Sequence, residues 1–301
     1  MNLQLQRRAF LCWSTSAACG AYNLLHAPAT AAQTAENTSS KLPKLPRLVT
    51  VGGAITEVAY LLGAEGQLVG TDTTSIYPPA AERTAKVGYM RQLSAEGLLS
   101  LRPDAVVTTT EAGPPVVLDQ IRSAGVRVEM IESSHDWPEV QRKVQAVGRM
   151  SGRTKQAQAL QTKLDAQWEE TLKQVAKNTG KKPRVLFILA HGASPSVSGQ
   201  KTAADSVIRL AGCTNVMTGF DGYRPMTAEA MASAAPDCVV TSTQGLAAQG
   251  GFDKFWERPE LALTPAFKRK ALVHMDALQL LGFGPRLPDA ILELHKRISA
   301  S

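Results

Sequence analysis

Aromatic residues make up only 5% of this 301-residue chain, and cysteine occurs four times. Lys and Arg exceed Asp and Glu by enough to give a net charge of +7. They are scattered, in short clusters such as Arg7-Arg8, Arg142-Lys143, Lys181-Lys182 and Lys268-Arg269-Lys270. A nucleic-acid-binding face concentrates its cations on one stripe with aromatics between them. That pattern is missing, so no nucleic-acid partner is expected. Beyond the N-terminal region, no apolar run approaches the ~20 residues that a membrane-spanning helix needs. Also missing are a Walker motif, a Gly-x-Gly-x-x-Gly after the first strand, a Gly-x-Ser-x-Gly and a His-Glu-x-x-His. Nothing here supports an enzyme. What remains is an ordinary globular balance, 44% hydrophobic and 20% charged. The length is enough for two lobes.

The first 32 residues have the layout of an export signal. Arg7-Arg8 precede Ala9-Phe10-Leu11, a mildly apolar stretch runs to about Leu25, and small residues close it at 27–32. The Arg-Arg-x-Phe-Leu string resembles a twin-arginine signal. The mature chain is expected to begin near Gln33, outside the cytoplasm, with residues 33–46 a flexible leader. Cys12 and Cys19 leave with the signal. Cys213 and Cys238 then lie in an oxidising compartment, and both a disulfide and two buried thiols stay open.

Short apolar runs alternate with helical spacings along the rest of the chain. Strands are expected at 47–51, 67–72, 104–110, 126–131, 184–189, 237–243 and 271–275. Helices are expected at 55–62, 94–101, 115–124, 203–210 and 287–298. Such alternation implies an α/β fold with parallel sheets. Residues 138–177 break the pattern. They run about forty residues without proline, with apolar positions at mostly helical spacing, and Asn178–Pro183 stops them. This segment reads as one long helix or two abutting ones, weakened at Gly148 and Gly152. The organisation is then a first lobe at 47–136, a connecting helix at 137–180 and a second lobe at 181–301.

The two lobes repeat each other. Residues 88–110 align with 222–243 when one residue is skipped after Gly-Tyr. Ser94-Ala-Glu96 then matches Thr227-Ala-Glu229, and Pro103-Asp104 matches Pro236-Asp237. The Ser or Thr caps a helix, the Glu sits in its first turn, and Pro-Asp ends it before a buried strand. A cleft between two such lobes is the natural ligand site.

The chain resembles the substrate-binding proteins of ABC importers, in the class whose lobes are joined by a rigid helix. Within that class it is most similar to the heme-binding members. The motifs that carry the resemblance are Gly70–Pro79, Gly88–Gly97, Glu111–Pro115, His191-Gly192, Ser198–Asp205, Gly222–Pro225 and Met275–Arg286. They span essentially all of the mature chain. The resemblance implies two similar Rossmann-like lobes with parallel sheets, joined by a long α-helix. It implies a monomer that takes up heme in the periplasm, with an outer-membrane heme receptor upstream, and delivers it to an inner-membrane ABC permease. Cobalamin or a ferric siderophore is the alternative cargo.

Tyr77 lies just after a strand, at the sheet edge where open α/β sheets bind ligands. Ferric heme accepts a tyrosinate oxygen, and the resemblance places the axial ligand in this loop. Arg91 is expected to pair with a heme propionate or to hold the Tyr77 phenolate ionised. Tyr89 is expected at the porphyrin rim. Arg224, in the repeat-related position, is the second propionate partner. His191 follows a strand and is a candidate second axial ligand or hydrogen-bond donor, with His135 and His274 behind it. Met90, Met226 and Phe283 are candidate apolar contacts. In the resembling family one acidic residue per lobe docks onto the permease, which here implies Glu96 and Glu229.

Overall fold

The computed structural model describes residues 45–189 and 195–301. The expected signal, all but the last two residues of the leader, and His191 lie outside the described residues. In chain order the first lobe holds β1 (Leu48–Thr50), α1 (Gly53–Leu61), β2 (Leu68–Thr71), α2 (Ala95–Ser100), β3 (Ala105–Thr109), α3 (Pro115–Ser123) and β4 (Arg127–Ile131). Then come α4 (Trp137–Met150) and α5 (Thr154–Ala176). The second lobe holds β5 (Arg184–Leu189), β6 (Ser196–Ser198), α6 (Ala203–Leu210), β7 (Thr214–Asn215), β8 (Tyr223–Pro225), α7 (Ala228–Ala234) and β9 (Cys238–Ser242). It closes with α8 (Thr243–Ala248), α9 (Gly251–Phe255), α10 (Pro265–Arg269), β10 (Leu272–Met275), α11 (Ala277–Leu281) and α12 (Leu287–Ser299).

The first sheet is wholly parallel, in the order β2-β1-β3-β4. The second repeats that order as β7-β5-β9-β10. It is not all-parallel as expected, because β6 and β8 add an antiparallel ribbon to the end of β5. Strands of two or three residues, such as β6, β7 and β8, carry too little alternation to be read from sequence.

The central strands β1, β3, β5 and β9 are buried on both faces, as the parallel parts of such sheets require. Alternate residues feed different cores. Leu48, Val185 and Phe187 face a core shared by both lobes with Val140, Val144, Trp168 and Leu294. Val49 and Val106 face an outer core with Leu98 and Leu118. Leu186 and Ile188 face another with Met231 and Phe255. Each such side chain contributes roughly 1.5–3 kcal/mol on burial.

A repeated device ties each helix to the strand beside it. The Asp104 carboxylate accepts the Arg47 N–H at 2.7 Å, and the Arg47 guanidinium donates to the Leu101 and Arg102 carbonyls just past α2. In the second lobe Asp237 accepts the Arg184 N–H at 3.0 Å, and Arg184 donates to the Ala234 and Ala235 carbonyls at the end of α7. A cation there satisfies carbonyls that have no helical partner and complements the helix dipole.

Of the two readings, one long helix or two abutting ones, the connector takes the second, folded back as a hairpin. Gly152, at φ +71°, breaks it between α4 and α5. Trp137 at the start of α4 stacks on Trp168 of α5, with ring centroids 4.9 Å apart, and its indole N–H donates to Asp165 at 2.7 Å. The α4 helix packs on α1, β3 and β4 of the first lobe, while α5 bridges α4 and α12. The link between lobes is therefore Thr154–Ala176. Helical periodicity runs on through a tight antiparallel turn, so it could not show the fold-back.

Cys213 and Cys238 are buried free thiols. They sit beside β7 and on β9, with β5 between them, which separates their backbones by about 10 Å at ordinary strand spacing. A disulfide needs less than about 7 Å between Cα atoms. Burial pushes the Cys213 thiol up to about 12, the neighbouring Cys238 adding to it, and pushes Cys238 up as well.

Gly148 sets how closely the hairpin closes, since a Cβ there would collide with the Ala157 Cβ. Gly148→Ala is expected to lower stability by about 1–3 kcal/mol, despite the better helix propensity of alanine. A thermal melt checks this; an unchanged or raised Tm would show that α4 and α5 are not packed this tightly.

Candidate functional site

The C-terminal ends of β1, β2 and β3 gather the loops of the first lobe on one edge. Asp72, fully buried, builds the loop that follows β2. Its carboxylate accepts from the Gly52 N–H, the Thr74 N–H and hydroxyl, and the Ser75 hydroxyl, all at 2.6–3.0 Å. Lys86 pins the other side by donating to the Thr71 hydroxyl and to the Ser75 and Ala81 carbonyls. Tyr77 projects from between these anchors. It is 41% exposed, and its hydroxyl has no hydrogen-bond partner among the described residues. The Arg286 guanidinium lies over its ring, 3.9 Å from the centroid.

A second knot sits beside it. The Thr73 N–H donates to the Gly88 carbonyl, joining the Tyr77 loop to the Gly88–Arg91 turn. Arg91 donates to Glu111 at 2.7 Å and to the Tyr89 hydroxyl at 3.0 Å, and His135 meets the other Glu111 oxygen at 3.2 Å. The His135 hydrogen bond and the Arg91 charge hold the Glu111 carboxyl below the usual carboxylate range, against burial. Burial works against the Arg91 charge, but Glu111 and Tyr89 more than offset it. Arg91 therefore turns towards Glu111 and Tyr89, and no contact joins it to Tyr77.

The second lobe presents Tyr223 and Arg224 from β8. Their side chains fall on opposite faces, as strand geometry requires. The Arg224 guanidinium stands over the Phe220 ring at 4.5 Å, with no ion pair among the described residues. Tyr223 is 40% exposed and lies beside Ser198 and Thr202. Burial pushes its phenol up, with those hydroxyls opposing, and the charges of Glu111 and Arg91 act on it from the first lobe. Tyr223 thus lies within electrostatic reach of the Arg91–Glu111 pair of the other lobe. Its matching position to Tyr89 in the repeat was the sequence signal for it.

The remaining candidates are placed as follows. Phe283 is fully buried against His135, and Met226 lies in the outer core of the second lobe. Met90 packs on the outer core of the first lobe. His274, on β10, bonds the Thr243 hydroxyl at 3.1 Å. Glu96 and Glu229 are exposed in the first turns of α2 and α7, behind their Ser94 and Thr227 caps.

Sequence reading missed the floor of the cleft. Arg286, at the start of α12, donates through Nε to both Glu57 oxygens at 3.0 Å. Glu57 is 3% exposed; burial pushes its carboxyl up and Arg286 works against that. Lys143 of α4, also buried, pairs with Glu139 at 2.6 Å and donates to the Gly282 and Phe283 carbonyls. Burial pushes its ammonium down, with Glu139 opposing. Gly53 and Gly284 allow this contact: a Cβ on Gly53 would sit 2.7 Å from the Leu278 side chain, and one on Gly284 2.9 Å from the Ala54 Cβ. Cavities of about 470 Å³ beside β7 and about 390 Å³ between α4 and α5 lie away from the cleft.

Residues 48–278 match the family of periplasmic binding proteins. The periplasmic heme-binding protein BhuT, solved with two hemes, is 46% identical over 85% of this chain and 98% of its own, with a TM-score of 0.81. The periplasmic heme-binding protein RhuT from Roseiflexus sp. RS-1 is 33% identical over the same shares, also with a TM-score of 0.81. The vitamin B12-binding protein of Photorhabdus laumondii is 23% identical over 65% of this chain and 70% of its own.

Asp72→Asn replaces one carboxylate oxygen by an amide nitrogen, which meets donors it cannot accept from. It is expected to cost about 2–4 kcal/mol, read by urea unfolding, and to speed proteolytic cleavage within residues 73–81. Equal cleavage rates would show that Asp72 does not hold the loop.

Proposed function

Because the chain belongs to the periplasmic binding protein family, whose members bind cargo and are not enzymes, we propose that it captures heme between its lobes with Tyr77 on the iron. The observation that carries this reading is a set of exposed aromatic and apolar side chains on the loops that the two lobes present to one another. Ile76, Tyr77 and Tyr89 come from the first lobe and Tyr223 from the second, each 38–41% exposed. Exposed apolar groups of this kind mark a binding surface. A porphyrin is a flat apolar ring with an iron at its centre and two carboxylates at its edge. The aromatic walls fit the ring, and Tyr77 offers an oxygen to ferric iron. Arg224, free of any ion pair among the described residues, suits a propionate. Arg91 serves Tyr89 and Glu111 first, so its part is to shape the rim. The two heme-binding structures, at 46% and 33% identity, support this cargo over cobalamin.

The reading places the protein outside the cytoplasm, delivered there by its Arg7-Arg8 signal, and its delivery partner in the inner membrane. Glu96 and Glu229 are exposed, one per lobe, in the first turns of α2 and α7, and neither is in an ion pair among the described residues. Both suit docking onto cations of a permease.

Hemin titration tests the site. The wild-type protein is expected to give a saturable Soret shift with the charge-transfer band of tyrosinate-bound ferric heme. Tyr77→Phe should abolish that band. Saturable binding of cobalamin or a ferric siderophore, with none of hemin, would overturn the cargo. For docking, Glu96→Ala with Glu229→Ala is expected to leave hemin affinity within about twofold and to impair delivery into permease-bearing proteoliposomes. Full delivery by the double variant would refute the role.

A further inference from the structure

Tyr77 stands on a loop with its ring 41% exposed, a setting in which a tyrosine ordinarily samples several rotamers. Its hydroxyl is unbonded among the described residues. The ring is nevertheless covered on one face by a cation from the other lobe, Arg286, whose guanidinium carbon lies 3.9 Å from the ring centroid. Arg286 is itself fixed. Its Nε is shared between both oxygens of the buried Glu57 at 3.0 Å, and its Nη2 is buried without a hydrogen-bond partner. The planar guanidinium is therefore spent on one carboxylate and one aromatic face, an arrangement in which a flexible lysine is no substitute. The loop that carries Arg286 is anchored to the first lobe by Lys143, which donates to the carbonyls of Gly282 and Phe283.

We propose that Arg286 is a positioning residue, which holds the Tyr77 ring in the one orientation that presents its oxygen to the cleft and ties that orientation to the second lobe. This rests on Tyr77 being the iron ligand. The stacked cation takes up one face of the ring, so the cargo approaches along the free face and edge. Chain entropy that a loose tyrosine would lose on binding is lost at folding instead, which is what preorganisation means for affinity. The role first assigned to Arg91, support of Tyr77, passes to a residue 209 positions away in sequence.

The test compares five full-length variants with the wild type. Tyr77→Phe establishes whether the tyrosinate band belongs to Tyr77. Glu57→Gln keeps the guanidinium over the ring and removes the buried charge. Arg286→Met with Glu57→Gln removes the stack without stranding a carboxylate in the core, and Arg286→Lys keeps charge without the plane. Hemin dissociation is expected to be about tenfold faster in the double variant, with a weakened, heterogeneous charge-transfer band. Arg286→Lys should fall between it and the wild type, and Glu57→Gln within about threefold of the wild type. In the ligand-free wild type, the Arg286 Nε–H proton resonance should be shifted by the ring current, and Tyr77→Leu should remove that shift. A folded double variant with the wild-type band and dissociation rate overturns the proposal. So does Glu57→Gln alone matching the double variant, which would make the effect one of the ion pair. If Tyr77→Phe keeps the band, the ligand assignment itself has failed, and the ring-current result still reports separately whether Arg286 holds the ring.

Discussion

Two lobes of the same design have no built-in reason to hold one mutual position, and here a buried polar floor supplies it. Arg286 and Lys143 cross the boundary in opposite directions. Arg286 leaves the second lobe for Glu57, and Lys143 leaves the first for the carbonyls of Gly282 and Phe283. Lys143 and Glu57 are charges taken out of water, and such groups persist only when they are paired and hydrogen-bonded. Glu57 is 3% exposed, so a lobe shift would leave its carboxylate unpaired in the core and would cost the buried Lys143 ammonium its two carbonyl acceptors, leaving it only Glu139 on its own helix. That penalty holds the lobes together more specifically than apolar contact alone.

The rest of the cleft hangs on this floor. The β1–α1 turn reaches it through Gly53 and Ala54, and the same turn offers its Gly52 N–H to Asp72, the organiser of the Tyr77 loop. Tyr77 in turn rests on Arg286. One contiguous set of contacts thus runs from the lobe junction to the exposed phenol. The Arg91–Glu111–His135 knot joins the same network, since His135 packs on Phe283. The side of the cleft is therefore as fixed as its base, which suits capture of a rigid, flat cargo.

The strand and helix pattern could be read from sequence because each piece depends on near neighbours. Ser94 and Thr227 accept the Gly97 and Ala230 N–H groups of their own helices, as Ser-x-x and Thr-x-x caps do. The internal repeat foretold two similar α/β lobes, and the two sheets share one strand order over their parallel part. It also pointed to Asp104 and Asp237, though not to Arg47 and Arg184 as their partners. The ribbon of β6 and β8 escaped because strands of three residues leave no period to detect, and the hairpin of α4 and α5 because a fold-back at Gly152 leaves helical spacing intact.

By itself the sequence determined a doubled α/β chain with capped helices, strands ending at a common edge, and Tyr77, Tyr89, Arg91 and Arg224 near that edge. Those features follow from periodicity, capping and repeat, all of which act over a few residues. Only the tertiary structure decided that Arg91 turns to Glu111, that Tyr223 comes within reach of their charges, and that Arg286 rather than Arg91 lies on Tyr77. Arg286 and Glu57 are separated by 229 residues. No local rule links positions that far apart; the packing of two lobes and a hairpin brings them to 3.0 Å.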